Sequence, residues 1–110
     1  EKLQSLYPLP QEITLTFQAK PTEIQIRVST TTPSEKYKQI VDYCQQQLAD
    51  YCYSNREHES LAERIITLAK TNKKTVALAE SCTGGGITQA LTAVSGASQV
   101  VDCSVVTYSN

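Results

Sequence analysis

The sequence predicts a mixed α/β chain, α+β overall, in two parts. A small β-hairpin-plus-helix unit spans residues 1–53, and an α/β unit spans residues 54–110. Three observations lead there. Two adjacent segments alternate apolar and polar residues with period two. A segment of helical period follows them. The second half then runs helix, short apolar run, glycine-rich turn, helix, strand. A length of 110 residues accommodates one ordinary domain or two small ones.

The elements follow in chain order. In EITLTFQAK, residues 12–20, Ile13, Leu15, Phe17 and Ala19 point one way while Thr14, Thr16 and Gln18 point the other. EIQIRVS, residues 23–29, repeats this with Ile24, Ile26 and Val28. Period two predicts two half-buried strands, and Lys20-Pro21-Thr22 between them predicts a hairpin. Ser34 is placed to cap a helix over residues 35–53. There Tyr37, Ile40, Val41, Cys44, Leu48 and Tyr51 or Cys52 recur at steps of three and four. Ser54 with Glu57 has the form of a capping box. The helix after it carries Leu61, Ile65, Leu68 and Ala69 on one stripe, with Ile66 beside them, and Thr71-Asn72-Lys73-Lys74 closes it. Thr75–Ala79 is apolar without alternation, as in a strand buried on both faces. Glu80-Ser81-Cys82-Thr83 turns the chain. A helix of about ten residues, with Ile87, Leu91 and Val94 facing inward, leads past Ser95-Gly96-Ala97-Ser98 to a last strand through Tyr108.

Composition excludes several classes. Apolar residues make up 40% and charged residues 19%, so a packed core is expected. The net charge of −1 provides no basic surface for nucleic acid. No apolar run approaches the roughly 18–20 residues that span a membrane. The first twenty residues lack the layout of a signal peptide, which predicts a cytoplasmic setting. No CxxC pair occurs among the four cysteines, and no metal site is expected. Cys44, Cys52 and Cys103 are expected as small buried hydrophobes.

The chemistry concentrates in VALAESCTGGG, residues 76–86. Glycines permit positive φ and close approach of a ligand. A following helix offers N–H groups to a phosphate or a developing oxyanion. The plain alternative is a turn in which Ser81 or Thr83 only caps the helix. The string is neither a Walker loop nor GxGxxG nor GxSxG. A nucleophilic serine needs a base. The one histidine, His58, lies in the charged run Arg56-Glu57-His58-Glu59, which predicts a solvated side chain and no Ser-His-Asp triad. Lys73 and Lys74 begin the strand whose far end carries Ser81, roughly 15–20 Å away by strand rise, too far to serve.

VALAESCTGGGITQALTAVSGAS followed by VVTYSN resembles the start of the C-terminal domain of the CinA competence/damage-inducible proteins. Single-domain relatives of that domain are nicotinamide-nucleotide amidohydrolases of the PncC type. The resemblance covers about residues 57–110. Residues 1–53 resemble, by pattern and order, the KH-type middle domain that precedes it. The resemblance implies hydrolysis of the carboxamide of nicotinamide mononucleotide, with no metal and no cofactor. It implies Ser81 as nucleophile and Tyr108 in the active site. Thr83, Gly84, Gly85, Ser109 and Asn110 would contact substrate. Cys82 is the rival nucleophile. The family's catalytic lysine lies a few residues after YSN, beyond Asn110, so the 110-residue chain alone is expected to be inactive. Only two strand ends, at Glu80 and Asn110, are available to build a site, so the second unit reads as the beginning of a larger domain.

The competing expectation is a non-catalytic interaction or assembly module. A KH unit grips nucleic acid through a GxxG loop, and residues 1–53 contain no glycine, so nucleic-acid binding is not expected. Open strand edges predict pairing with a second copy as a homo-oligomer.

Overall fold

The computed structural model describes residues 1–109 of the chain, a mixture of helices and small sheets. It divides into two compact units, Glu1–Cys52 and Tyr53–Asn110.

In the first unit, β1 (Ile13–Ala19) and β2 (Ile24–Thr30) pair antiparallel, with Ile13 opposite Thr30 and Ala19 opposite Ile24. The Lys20 N–H donates to the Glu23 carbonyl at 2.8 Å and closes the hairpin, and the Lys20 and Glu23 side chains pair across it. Helix α1 (Glu35–Gln47) starts at Ser34, whose hydroxyl accepts from the Tyr37 N–H at 3.2 Å. Leu3, Ile13, Leu15, Ile40 and Cys44 form the core, with Ile26, Val28 and Tyr37 packed against it. Burial pushes the Cys44 thiol up from its ordinary range.

Two expectations for this unit need correction. The helix stops at Gln47 rather than reaching residue 53. Tyr51 is 71% exposed and Cys52 is exposed, so no buried side chain holds a further turn. The apolar hairpin face is covered from its Ile13/Leu15 end as far as Ile26. Phe17 and Ile24 are 54% and 68% exposed at the other.

In the second unit, α2 (Leu61–Thr71), β3 (Val76–Glu80), α3 (Gly86–Thr92) and β4 (Val101–Val106) follow in order. The strands β3 and β4 pair parallel, joined through α3. Ile66, Ala69, Leu91, Ala97 and Val100 form the core, with Val76, Leu78, Val94 and Val101 against it.

The capping box sits at Ser60 and Glu63, not at Ser54 and Glu57. The Ser60 hydroxyl accepts from the Glu63 N–H at 3.2 Å, and the Glu63 carboxylate accepts from the Ser60 N–H at 2.7 Å. His58, with φ of 63°, is in the left-handed region and breaks any helix begun at Ser54. The stripe expected on α2 holds at Ala69 and, half-buried, at Ile65, but not at its two leucines. The buried stripe centres on Ile66 and Ala69, while Leu61 and Leu68 are exposed. Strand β3 buries one face only: Val76 and Leu78 are half-buried, Glu80 is buried, and Ala77 and Ala79 are exposed. Ala77 and Ala79 lie opposite Cys103 and Val105, which are exposed too. Ile87 is 49% exposed rather than inward. Of the three cysteines expected to be buried, only Cys44 is. The last strand ends at Val106, so Tyr108 lies past it.

Candidate active site

The turn between β3 and α3 is built from its glycines and from Glu80. Gly84 and Gly85 both have positive φ, 61° and 98°. They reverse the chain between the strand end and α3, whose N-cap, Gly85, has no side chain with which to cap. The Gly84 N–H donates to the Ser81 carbonyl at 2.9 Å and the Gly86 N–H to the Thr83 carbonyl at 3.2 Å. Two tight hydrogen-bonded turns thus follow each other over residues 81–86.

Glu80 supplies the missing cap. It is buried, 5% exposed, and its carboxylate bends onto the first turn of α3. One oxygen accepts from the Ile87 N–H at 2.9 Å and from the Thr83 hydroxyl at 2.6 Å. The other accepts from the Thr88 N–H at 2.8 Å and from the Thr88 hydroxyl. The Thr83 and Thr88 hydroxyls, with those backbone N–H groups, hold the Glu80 carboxyl down to about 2, outweighing the desolvation that opposes them. The positive end of α3 therefore already faces an anion. From sequence, Glu80 reads only as the end of the strand. The available signal was a carboxylate three residues ahead of Thr83 and just upstream of a helix whose N-cap is glycine.

These bonds decide which donors remain. Among the described residues, no hydrogen bond engages the N–H of Cys82, Thr83 or Gly85. Ser81 is exposed, and no hydrogen bond engages its hydroxyl there. A serine hydroxyl just past the end of a parallel strand, with unengaged N–H groups at residues 82, 83 and 85 of the same turn, brings together the group types that a nucleophile and an oxyanion cradle require. Gly84 shapes this turn by its φ, since its own N–H is committed to Ser81.

The Thr107 N–H donates to the Glu80 carbonyl at 2.8 Å, continuing the β3–β4 ladder one step past Val106. That bond brings the chain leading into Tyr108 and Ser109 to the same sheet edge as Ser81. Tyr108 is 74% exposed and Ser109 is exposed. Asn110 lies outside the described residues. His58 is solvated, its side chain 81% exposed and 3.4 Å from the Glu57 carboxylate. Cys82 is exposed beside Ser81, and the positive end of α3 faces Glu80 rather than this thiol. The described residues gather no three His, Cys, Asp or Glu side chains into a metal-holding group. None of their helices is long and apolar enough to cross a membrane.

Residues 58–110 match the family model of the CinA C-terminal domain. The whole chain aligns with a protein of Caldicellulosiruptor bescii named as competence-damage inducible, at 36% identity over 28% of that protein's length. A CinA-like protein of Thermotoga neapolitana matches 79% of the chain at 35% identity, over 21% of its own length. A CinA-like protein of Nostoc punctiforme matches the whole chain at 32% identity, over 27% of its length. The chain thus spans under a third of the relatives it matches. The match over the Ser81 turn and both parallel strands, with alignments that run through the hairpin unit as well, shows that the chain belongs to the CinA family.

Proposed function

We propose that the full-length protein containing this chain hydrolyses the carboxamide of nicotinamide mononucleotide, releasing nicotinic acid mononucleotide and ammonia. The observation that carries this is the Ser81 turn, in which, among the described residues, no hydrogen bond engages the Ser81 hydroxyl or the N–H groups of Cys82, Thr83 and Gly85. The Ser81 Oγ bonds to the amide carbon while a lysine following this segment takes its proton. The oxyanion is held by those backbone donors. The C–N bond breaks, the proton passes to nitrogen, and ammonia leaves. Water then attacks the Ser81 ester and the acid departs, returning the proton to Ser81. Tyr108 and Ser109 border the substrate from the β4 side. The Ile87 and Thr88 N–H groups at the start of α3 are already taken by the Glu80 carboxylate and are not offered to the substrate phosphate.

The test is ammonia release from nicotinamide mononucleotide by purified full-length protein. Ser81→Ala is expected to lower turnover at least about 10³-fold, and Cys82→Ala to retain it. Near-normal turnover in Ser81→Ala overturns the assignment of the nucleophile.

The hairpin-plus-helix unit is read as the KH-type middle domain of the family, acting in assembly and not in nucleic-acid binding. It has no glycine to form a GxxG loop. A salt-dependent shift of single-stranded RNA by the chain would contradict this. The setting proposed is the cytoplasm.

A further inference from the structure

We infer that Glu80 is a positioning residue for the serine chemistry: its saturated carboxylate, anchored through Thr88 and Ser104 to β4, fixes the turn that carries Ser81. The inference rests on the amidohydrolase reading for its catalytic consequence, and on geometry alone for its structural one.

A carboxylate has about four lone-pair sites. Those of Glu80 meet four donors: the Thr83 hydroxyl and Ile87 N–H on one oxygen, the Thr88 N–H and hydroxyl on the other. Nothing remains with which to take a substrate proton or a metal, so the group serves by holding its neighbours. It holds them from both sides of Ser81. Upstream, the Glu80 carbonyl is fixed by the Thr107 N–H. Downstream, the carboxylate grips Thr83 and the start of α3. Ser81 and Cys82 therefore lie in a loop whose two ends are tied to one residue.

The anchoring extends further. The Thr88 hydroxyl spends its proton on Glu80, so the Ser104 hydroxyl, 2.5 Å away, must donate to Thr88. The order Ser104 to Thr88 to Glu80 is fixed, and it links the middle of β4 to the residue before Ser81. The local alternative, a plain helix cap, does not require this. An ordinary cap comes from the residue at the helix start, whereas Glu80 reaches across the intervening turn and draws in a second strand.

Glu80→Gln keeps the shape and breaks the chemistry. Each oxygen faces a backbone N–H, so either orientation of the amide turns its NH₂ toward a donor. In full-length protein that retains its wild-type circular dichroism, Glu80→Gln is expected to lower kcat at least about 100-fold with KM within about threefold, the scale of a small displacement of the reacting groups. Thr88→Val is expected to lower kcat about tenfold, and Thr88→Ser, which restores the hydroxyl, to recover it. Wild-type kcat in Glu80→Gln, or a Thr88→Ser as impaired as Thr88→Val, overturns the proposal.

A second arm is independent of the reaction. Alkylation of Cys82 by iodoacetamide, read against the exposed Cys52 and Cys103, is expected to change at least about threefold in Glu80→Gln while the reference thiols do not. An unchanged Cys82 rate overturns the positioning role. If wild-type protein releases no ammonia from nicotinamide mononucleotide, the amidohydrolase reading fails, and this arm still decides the role of Glu80.

Discussion

Three consecutive glycines stand in the candidate site, and replacing each by alanine should give results of opposite sign. Gly84, at φ 61°, lies in the left-handed region, where an alanine costs about 1–2 kcal/mol. A Cβ there meets nothing within 4 Å, so the backbone alone sets the cost. Gly85, at φ 98°, lies beyond the part of that region an L-residue tolerates, and its cost rises toward about 3 kcal/mol. Its Cβ would sit 3.5 Å from a methyl of Val106, an ordinary contact that adds no clash. Gly86 is helical, and its Cβ would lie 3.5 Å from that of Thr83. Alanine there only restricts the unfolded chain, a gain of about 0.4–1 kcal/mol.

For a domain of this size each kcal/mol moves Tm by about 4–8 °C. Thermal unfolding followed by circular dichroism should therefore order the variants Gly86→Ala, wild type, Gly84→Ala, Gly85→Ala from most to least stable. Denaturant midpoints with an unchanged m value would confirm that stability itself has moved. Equal losses at all three positions would refute the backbone argument. A stable Gly86→Ala that loses activity in the full-length protein would instead show that ligand approach, not φ, keeps glycine at that position.

Other expectations concern acid, core and cap. The folded Glu80 carboxyl lies below its ordinary value of 4.5, down to about 2, so its contribution is complete above about pH 4.5 and is lost as pH falls toward 2. A plot of Tm against pH should bend down in that window, and less so for Glu80→Gln; equal bends would show that the carboxylate is not held as described. The Ser60 N–H and hydroxyl lower the Glu63 carboxyl in the same direction, so Glu63→Gln is the control for this limb. Ile66→Ala, at 2% exposure, should cost about 2–5 kcal/mol by urea unfolding, whereas Leu68→Ala, at 43%, should cost far less. Similar values for the two would return Leu68 to the buried stripe, as expected from sequence. Ser60→Ala should cost about 1 kcal/mol through the lost cap, checked by the same unfolding curves.

The hairpin and the order of the later elements were legible because each rests on a local pattern. Alternation placed β1 and β2, and Ser34 announced α1. What failed needed tertiary information. Both Ser54 and Ser60 are followed three residues later by glutamate, and only the left-handed His58 shows that the first pair cannot start a helix. In α2, the expected stripe 61, 65, 68, 69 and the set 62, 65, 66, 69 satisfy helical spacing about equally well. The second faces the core, with Ile66 and Ala69 buried and Ala62 and Ile65 half-buried, packed with Leu91 and Val100. Strand β3 looked buried on both faces because Ala77 and Ala79 are apolar. Composition cannot distinguish a covered face from an exposed one.

The same limit applies to the candidate site. Residue types point to the turn and its glycines, since positive-φ positions are written one residue at a time, whereas the nucleophile's role for Ser81 is implied only by the family resemblance. The role of Glu80 is not local. It depends on donors at Thr83, Ile87 and Thr88, and on Ser104 two elements later. From sequence the helix start looked like an open anion site, and Thr83, Gly84 and Gly85 looked like equivalent donors. In the fold, one carboxylate occupies that helix start and the Gly84 N–H is committed to Ser81. Among the described residues, the unengaged donors of this turn are those of Cys82 and Thr83, which follow the serine, and of Gly85, the N-cap of α3. Their placement suits a charge that develops on an atom attacked by Ser81 better than an anion that arrives with the substrate. In the reaction proposed above, those donors would serve the transient oxyanion, since the N–H groups of Ile87 and Thr88 are already committed to Glu80.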